Sequence, residues 1–398
     1  MDILTSVSAD TLFETLGDQS AQMESLANQS LSNGIDKYIN KDYKGAAVAF
    51  KAAFGLSSAS QSTYGVDAAK YLAMSYIQLG ETNNAVQAYK QAIQLYSNDD
   101  TLYAALGNLY FGEGRTGEAI EAYENAVRNF EDGNNRFSLG QAYLKAGRNE
   151  DAANQFRKVI EMNQGSANGY YGLGQALAAQ KKYPEAIAQF ERAVQKNKAF
   201  YDAYAEMGYT YADAGDLDRA NEIKDFLGYK DKSLATTLGE YINKMTQPKI
   251  LFAWADSSFP FYMPPKTTVA ELGNYMANAN ASQTFAMVFQ FNKSMDRESV
   301  ENPLNWSISR ASGNGPAGDY NYGLGIPDTE ARISPTPIDV YYDEKYYNAI
   351  VRFTVDQNAT GTATIDPSHL QFTFTGLDGD GNTMHPKYDQ YTGFSGSF

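Results

Sequence analysis

Asp378, Asp380 and Asn382 alternate through the segment LDGDGN, and the glycines between them permit a sharp turn. Carboxylate and amide oxygens at every second position are the donor set of a calcium loop. No glutamate follows at the distance where such loops place a bidentate ligand. Asp-Gly and Gly-Asn pairs also serve a hairpin turn, so calcium and a plain turn are both open. Asp339, Asp343 and Glu344 have the chemistry of a glycosidase's paired carboxylates, but nothing near them in sequence supplies a pocket. Of the two histidines, His369 follows Asp366-Pro367 and His385 follows a Gly-Asn turn, and neither has a plausible catalytic neighbour. The absence of cysteine excludes disulfides, thiolate metal sites and cysteine nucleophiles together. No catalytic constellation emerges, so a non-enzymatic protein is expected.

Asn-x-Ser/Thr sequons stand at Asn28, Asn280, Asn292, Asn305 and Asn358. Four of the five lie beyond residue 247, beside the SPTP stretch at Ser334–Pro337. Glycosylation there would imply a surface location.

Two kinds of element must carry these residues, and proline marks the change between them. Of 12 prolines, only Pro184 precedes residue 247. The first part is rich in Ala, Gln, Glu, Lys and Leu at helical spacing, the second in Phe, Tyr, Thr, Val, Gly and Pro. Proline is excluded from helix interiors and sheet centres, so the switch is a change of fold. The 398 residues suit two or three domains. A net charge of −15 argues against nucleic acid or an anionic membrane as main partner. No apolar run is long enough to span a bilayer. Met1–Gly17 lacks a basic stretch followed by an apolar one, so no secretion signal is recognisable in it. That leaves a cytosolic chain, a leader missing from this numbering, or another export route.

The first part repeats. A small residue is followed four later by an aromatic and seven later by another apolar residue: Ala46/Phe50/Ala53, Ala85/Tyr89/Ala92, Ala119/Tyr123/Ala126, Ala152/Phe156/Val159 and Ala186/Phe190/Ala193. Ala220/Lys224/Leu227 is a degenerate sixth. Such offsets place all three side chains on one helix face. Twelve residues earlier stands a second small residue, Gly34, Ala73, Gly107, Gly140, Gly174 or Gly208. Gly80, Gly114, Gly147 and Gly215 fall where a left-handed helix cap is needed. Steps of 39, 34, 33, 34 and 34 residues separate the units, the long first step implying a loop insertion around Ser57–Tyr64.

This layout resembles the tetratricopeptide repeat family over 27–246, with Leu234, Leu238 and Ile242 in a capping helix. The resemblance implies an α-solenoid of about six helix pairs whose first helices line a concave groove. It assigns Met74, Asn108, Asn134, Phe137, Gln141, Asn168, Tyr171 and Gln175 to that groove, with Lys70 its one placed cation. Neutral amides and aromatics suit an extended peptide or a glycan.

In the second part Phe285, Met287, Phe289 and Phe291 alternate, as do Ala349, Val351, Phe353 and Val355, and Leu370, Phe372 and Phe374. Period-two alternation between turn clusters predicts an antiparallel sandwich. VFQFNKSMDRESVENPLNWSIS and FTFTGLDGDGNTM resemble the bacterial Ig-like domains of S-layer and other cell-surface proteins, which implies an Ig-like β-sandwich over 284–398. Residues 247–283 fall outside that pattern as a linker or extra strand, and 1–26 stand apart as an N-terminal segment. The expected function is an extracellular or cell-surface structural protein that assembles with itself into a filament or layer, joined through ILTSV, FAWADSSFPFYMPP or FSGSF. The alternative is a soluble scaffold binding a peptide or glycan in its groove. No cofactor is expected beyond possible calcium at Asp378, Asp380 and Asn382.

Overall fold

The computed structural model describes residues 9–60, 64–256, 259–312 and 319–392. The candidate joints ILTSV and FSGSF lie outside the described residues, as do parts of the FAWADSSFPFYMPP stretch and of the Ser57–Tyr64 insertion. The chain divides into two compact units, Met1–Ala235 and Thr236–Phe398.

The first unit is a run of antiparallel helix pairs: α1 (Ala9–Ile39) with α2 (Tyr43–Ser60), α3 (Tyr64–Gln78) with α4 (Thr82–Leu95), α5 (Asp100–Gly112) with α6 (Thr116–Asn129), α7 (Gly133–Lys145) with α8 (Asn149–Met162), α9 (Ala167–Ala179) with α10 (Tyr183–Lys196), and α11 (Tyr201–Asp213) with α12 (Leu217–Gly228). The expected 26/27 border lies inside α1. The extra residues of the first repeat step mostly lengthen α2, which has 18 residues where α4 has 14. Its alanine-rich sequence contains no proline, and the helix continues through Gly55 to Ser60.

The repeat signature works by close approach. Within a pair, the first helix brings a glycine against the aromatic of the second. A Cβ built on Gly140 would lie 2.7 Å from Phe156, and one on Gly174 would lie 2.6 Å from Phe190. The aromatics Phe156 and Phe190 are wholly buried. Between paired helices the chain turns through a Schellman motif. At Gly147 (φ 74°) the next backbone N–H, of Arg148, donates to Tyr143 O at 2.9 Å, satisfying a carbonyl the helix end leaves open. The turn between α9 and α10 repeats this geometry without glycine: Lys181 takes φ 60° and Lys182 N donates to Leu177 O at 3.0 Å. First helices are started by side-chain caps, Asp99 on α5, Asp132 on α7 and Ser166 on α9. Pro184 sits in the first turn of α10, where a missing N–H costs nothing.

Neighbouring first helices also pack on one another, α3 on α5, α5 on α7, α7 on α9 and α9 on α11. Among the described residues no comparable packing joins neighbouring second helices, so the first helices form the inner layer of the curve.

The helix α13 (Lys232–Met245) spans the division between the units, so the expected 246/247 border and the observed one lie on opposite sides of most of it. The second unit is antiparallel β structure. One sheet runs β1 (Ile250–Ala255), β3 (Ser282–Phe291), β7 (Asn348–Asp356) and β5 (Arg332–Ile333), with β6 (Asp339–Asp343) also paired to β7. The other runs β10 (Gln390–Thr392), β9 (Leu370–Phe374) and β4 (Trp306–Arg310), and β2 (Thr267–Thr268) pairs β8 (Thr364–Ile365). Every alternating residue expected to face inward is buried. Rings from the two sheets meet in one core, Phe289 against Trp306 and Phe372, and Phe353 against Phe372. Within 247–283, β1 pairs with β3 at the edge of the larger sheet. The SMD turn folds because Asp296 caps the short helix α14 (Arg297–Glu301) through Ser299 N at 2.7 Å, and Met295 and Val300 are buried on either side.

The outer face of the larger sheet is partly apolar. Pairing registers place Trp254, Val288, Ile350 and Tyr341 in one row across β1, β3, β7 and β6. Phe252, Trp254 and Tyr341 are exposed.

Candidate functional site

Every residue assigned to the groove lies on a first helix, and the helical spacing explains why. Relative to the packing glycine of its helix, Phe137 and Tyr171 stand three positions before, and Asn108, Gln141 and Gln175 one after. Those offsets return to one stripe beside the buried seam. Phe137 leans on Phe156 with ring centroids 5.5 Å apart, and Tyr171 contacts Phe190 at 6.1 Å and Phe200 at 4.8 Å.

Polar side chains connect one first helix to the next. Lys70 of α3 donates to Thr101 of α5. Asn135 of α7 donates to Asp100 of α5 at 2.8 Å. Gln141 of α7 donates to Gln175 Oε1 of α9 at 3.1 Å, and Gln175 Nε2 in turn faces Tyr171 Oη at 2.9 Å and Glu206 Oε1 of α11 at 3.3 Å. Asn108 is exposed and accepts from Tyr123 Oη at 2.7 Å, while burial raises the Tyr123 hydroxyl to about 12. Met74 is exposed. Asn134 and Asn168 are exposed, and among the described residues their side chains have no partner.

Two contributors to this surface escaped the sequence reading, Asp202 and Glu206. Glu206 is half-buried; burial pushes its carboxyl up, Gln175 partly offsets that, and Asp202 and Asp213 add to it. The missing signal was one more step of the period. Asn134, Asn168 and Asp202 are spaced by 34 residues each, but the degenerate sixth unit hid the continuation.

In the second unit the LDGDGN loop encloses a cation of the protein itself. Lys293 Nζ lies 2.6 Å from Asp378 Oδ2 and 3.2 Å from Asp380 Oδ2. It also donates to the carbonyls of Asn243 (2.7 Å) and Thr246 (3.2 Å) at the end of α13. Asp378 Oδ1 accepts the N–H groups of Asp380 and Asn382, and Oδ2 the Asn382 amide at 2.9 Å. Burial alone would raise the Asp378 carboxyl, but hydrogen bonds from Lys293 and Asn382 hold it below its ordinary value. The three residues proposed as calcium ligands are thus spent on an ammonium and on closing the turn. Among the described residues no group of three or more His, Cys, Asp or Glu side chains could hold a metal ion.

The structure gives His369 the neighbours that the sequence did not reveal. Its Nδ1 lies 2.7 Å from Asp366 Oδ2, and Ser368 Oγ donates to Asp366 Oδ1 at 2.9 Å. The resemblance to a hydrolase triad ends there. Ser368 and Asp366 approach the same ring nitrogen, all three residues are buried, and Asp366 caps the following turn. Asp339 pairs with Arg352 at 3.0 Å and Glu344 with Arg297 at 3.6 Å, so the acidic pair forms no paired-carboxylate site. Gly172 and Gly174 of α9 are packing residues, set against Phe156 and Phe190.

The sequons differ in what their amides do. Asn280 is exposed with φ 59°. Asn292 accepts from Lys249 N at 2.7 Å, Asn305 donates to Ser299 O at 2.7 Å, and Asn358 closes a local turn onto Thr360 and Thr362. Asn28 is exposed on α1.

Comparison with known proteins agrees with the helical geometry. Family models of the tetratricopeptide repeat match residues 137–202 and 100–132, and a TPR repeat model matches 74–114. Residues 74–132 and 137–202 of the helical unit are therefore tetratricopeptide repeats. No curated protein matches the chain in sequence. Among solved structures it is similar to YrrB, described as a TPR protein with an unusual peptide-binding site (25% identity, 44% of this chain and 91% of that one, TM-score 0.37). It is also similar to a tetratricopeptide repeat protein of Parabacteroides merdae (17% identity, 55% and 86%, TM-score 0.48) and to PilF of Pseudomonas aeruginosa (16%, 55% and 99%, TM-score 0.43). Among the described residues no helix is long and apolar enough to cross a membrane.

Proposed function

We propose that the helical unit is a binding scaffold that takes an extended peptide segment of a partner protein along its first helices. One observation carries this reading. Asn134 and Asn168 present exposed, unpartnered amides one repeat apart, beside the half-buried rings of Phe137 and Tyr171. An extended backbone offers a donor and an acceptor per residue, which side-chain amides can meet, while its side chains lie against the rings. A random nonapeptide library panned against the full chain tests it. Selected peptides should lose most of their affinity for an Asn134→Ala, Asn168→Ala double variant. Binding unchanged in that variant would move the site elsewhere.

A second reading, the surface-located self-assembling protein with an Ig-like sandwich, is supported by the exposed Phe252, Trp254 and Tyr341 on the outer sheet face. In an exported chain Asn280 is the sequon best disposed to carry a glycan. Sedimentation of the full chain with Trp254→Ser beside the wild type tests assembly; a monomer in both would end this reading.

A further inference from the structure

We infer that the α11 end of the groove selects a lysine or arginine side chain of the bound segment, an inference that rests on the peptide-scaffold reading above. Charge complementarity identifies the occupant. Asp202 and Glu206 sit on the inner layer, and among the described residues neither is paired with a lysine or arginine. Elsewhere the helical unit neutralises its acids locally, as in Arg115–Glu118, Arg148–Asp151 and Lys158–Glu161. The Glu206 carboxylate is half-buried beside Tyr171, with Gln175 as its hydrogen-bond partner at 3.3 Å. Burial and the neighbouring acids raise its carboxyl, the sign of a charge held without a counter-ion.

The neighbouring surface suits the same occupant. Tyr171 and Phe200 form an aromatic wall, their centroids 4.8 Å apart. A cation laid against such rings gains from the ring quadrupole, and its N–H groups form charge-assisted bonds to a carboxylate. An acidic side chain placed there would meet like charge, which disfavours the wrong partner. The amides of Asn134 and Asn168 read backbone and are neutral to sequence, so the charged end sets register and selectivity.

The test uses the full chain and three immobilised degenerate nonapeptide libraries whose fixed central residue is arginine, citrulline or glutamate. Citrulline keeps the shape of arginine and removes its charge. The wild type should retain the arginine library about tenfold or more above the other two. The preference should weaken as salt is raised and disappear in an Asp202→Asn, Glu206→Gln double variant, whose side chains keep their shape. Equal retention of the arginine and citrulline libraries, or preference for glutamate, overturns the inference while leaving the groove a peptide site. Retention of none of the three overturns this inference and the scaffold reading together. Retention of the arginine library undiminished in the double variant places the basic side chain elsewhere and overturns the inference.

Discussion

Lys293 and Asp378 form an ion pair of 2.6 Å with side chains only 3% and 0% exposed. The ammonium also caps the last carbonyls of α13, at Asn243 and Thr246, where the helix dipole favours a cation. One internal charge therefore ties a helix end to a β-turn, and Asn382 reinforces the tie by donating to Lys244 O at 2.6 Å.

Lys293→Met should accordingly cost about 3–5 kcal/mol in denaturant unfolding, because it strands a buried carboxylate. Adding Asp378→Asn should recover part of the loss. Since the folded Asp378 carboxyl is lowered, its contribution is fully present above the ordinary carboxylate range and is lost as pH falls through the lower folded value. Calcium should leave the wild-type unfolding transition unmoved. A calcium-dependent rise in that transition would return Asp378, Asp380 and Asn382 to the role of ligands.

The packing glycines give a second prediction. Gly140→Ala drives a methyl toward Phe156, whose ring is enclosed, and should cost about 1–3 kcal/mol by overpacking. Gly133→Ala, in the first turn of the same helix with open space around it, should be neutral or raise stability by about 0.5 kcal/mol. Paired thermal melts would show the contrast; equal effects would mean the glycines serve only the backbone.

How far these features could be read in advance depended on whether they were periodic. Phe156 and Gly140 recur at fixed offsets, so the helical pairing and its seam were legible in the sequence. Phe285 to Phe291 alternate, so the buried strand faces were legible too. Lys293 was not, because its partners come from two separated stretches, Asn243 with Thr246 and Asp378 with Asp380. A lysine beside a strand end is ordinarily solvated, and nothing local marks this one as buried. His369 failed for a related reason: the turn that folds Asp366 back onto it is visible only in three dimensions. Asp202 and Glu206 lie in the unit where Lys224 replaces the aromatic; the repeat was read through that unit, but the groove assignment stopped one pair earlier, at Gln175.

Lys181 offers a third prediction. It occupies the left-handed position that Gly147 fills one repeat earlier, with φ 60° against 74°. A non-glycine residue there costs roughly 1–2 kcal/mol, partly offset because glycine loses more entropy on folding. Lys181→Gly should therefore stabilise the chain by about 0.5–1 kcal/mol. The reverse change, Gly147→Lys, should destabilise by a similar amount. Equilibrium denaturation of the two variants would settle the sign.

Glu206→Gln should separate stability from binding. Burial and the nearby Asp202 and Asp213 raise the folded carboxyl above its ordinary value of 4.5, and Gln175 only partly opposes them. A raised acid binds its proton more tightly in the folded state, so its stabilising contribution is present below the ordinary glutamate value and is lost as pH rises through the folded one. At neutral pH wild-type Glu206 is therefore a liability. Its amide variant, which keeps an acceptor for Gln175, should melt higher. The difference should shrink as pH is lowered below the ordinary glutamate range, where both side chains are neutral. A purely structural carboxylate would give the opposite result at neutral pH, a lower melting temperature. A residue retained at a cost in stability is what a recognition site requires, so a variant that melts higher yet no longer prefers arginine-bearing peptides would tie the strain at Glu206 to the partner it awaits.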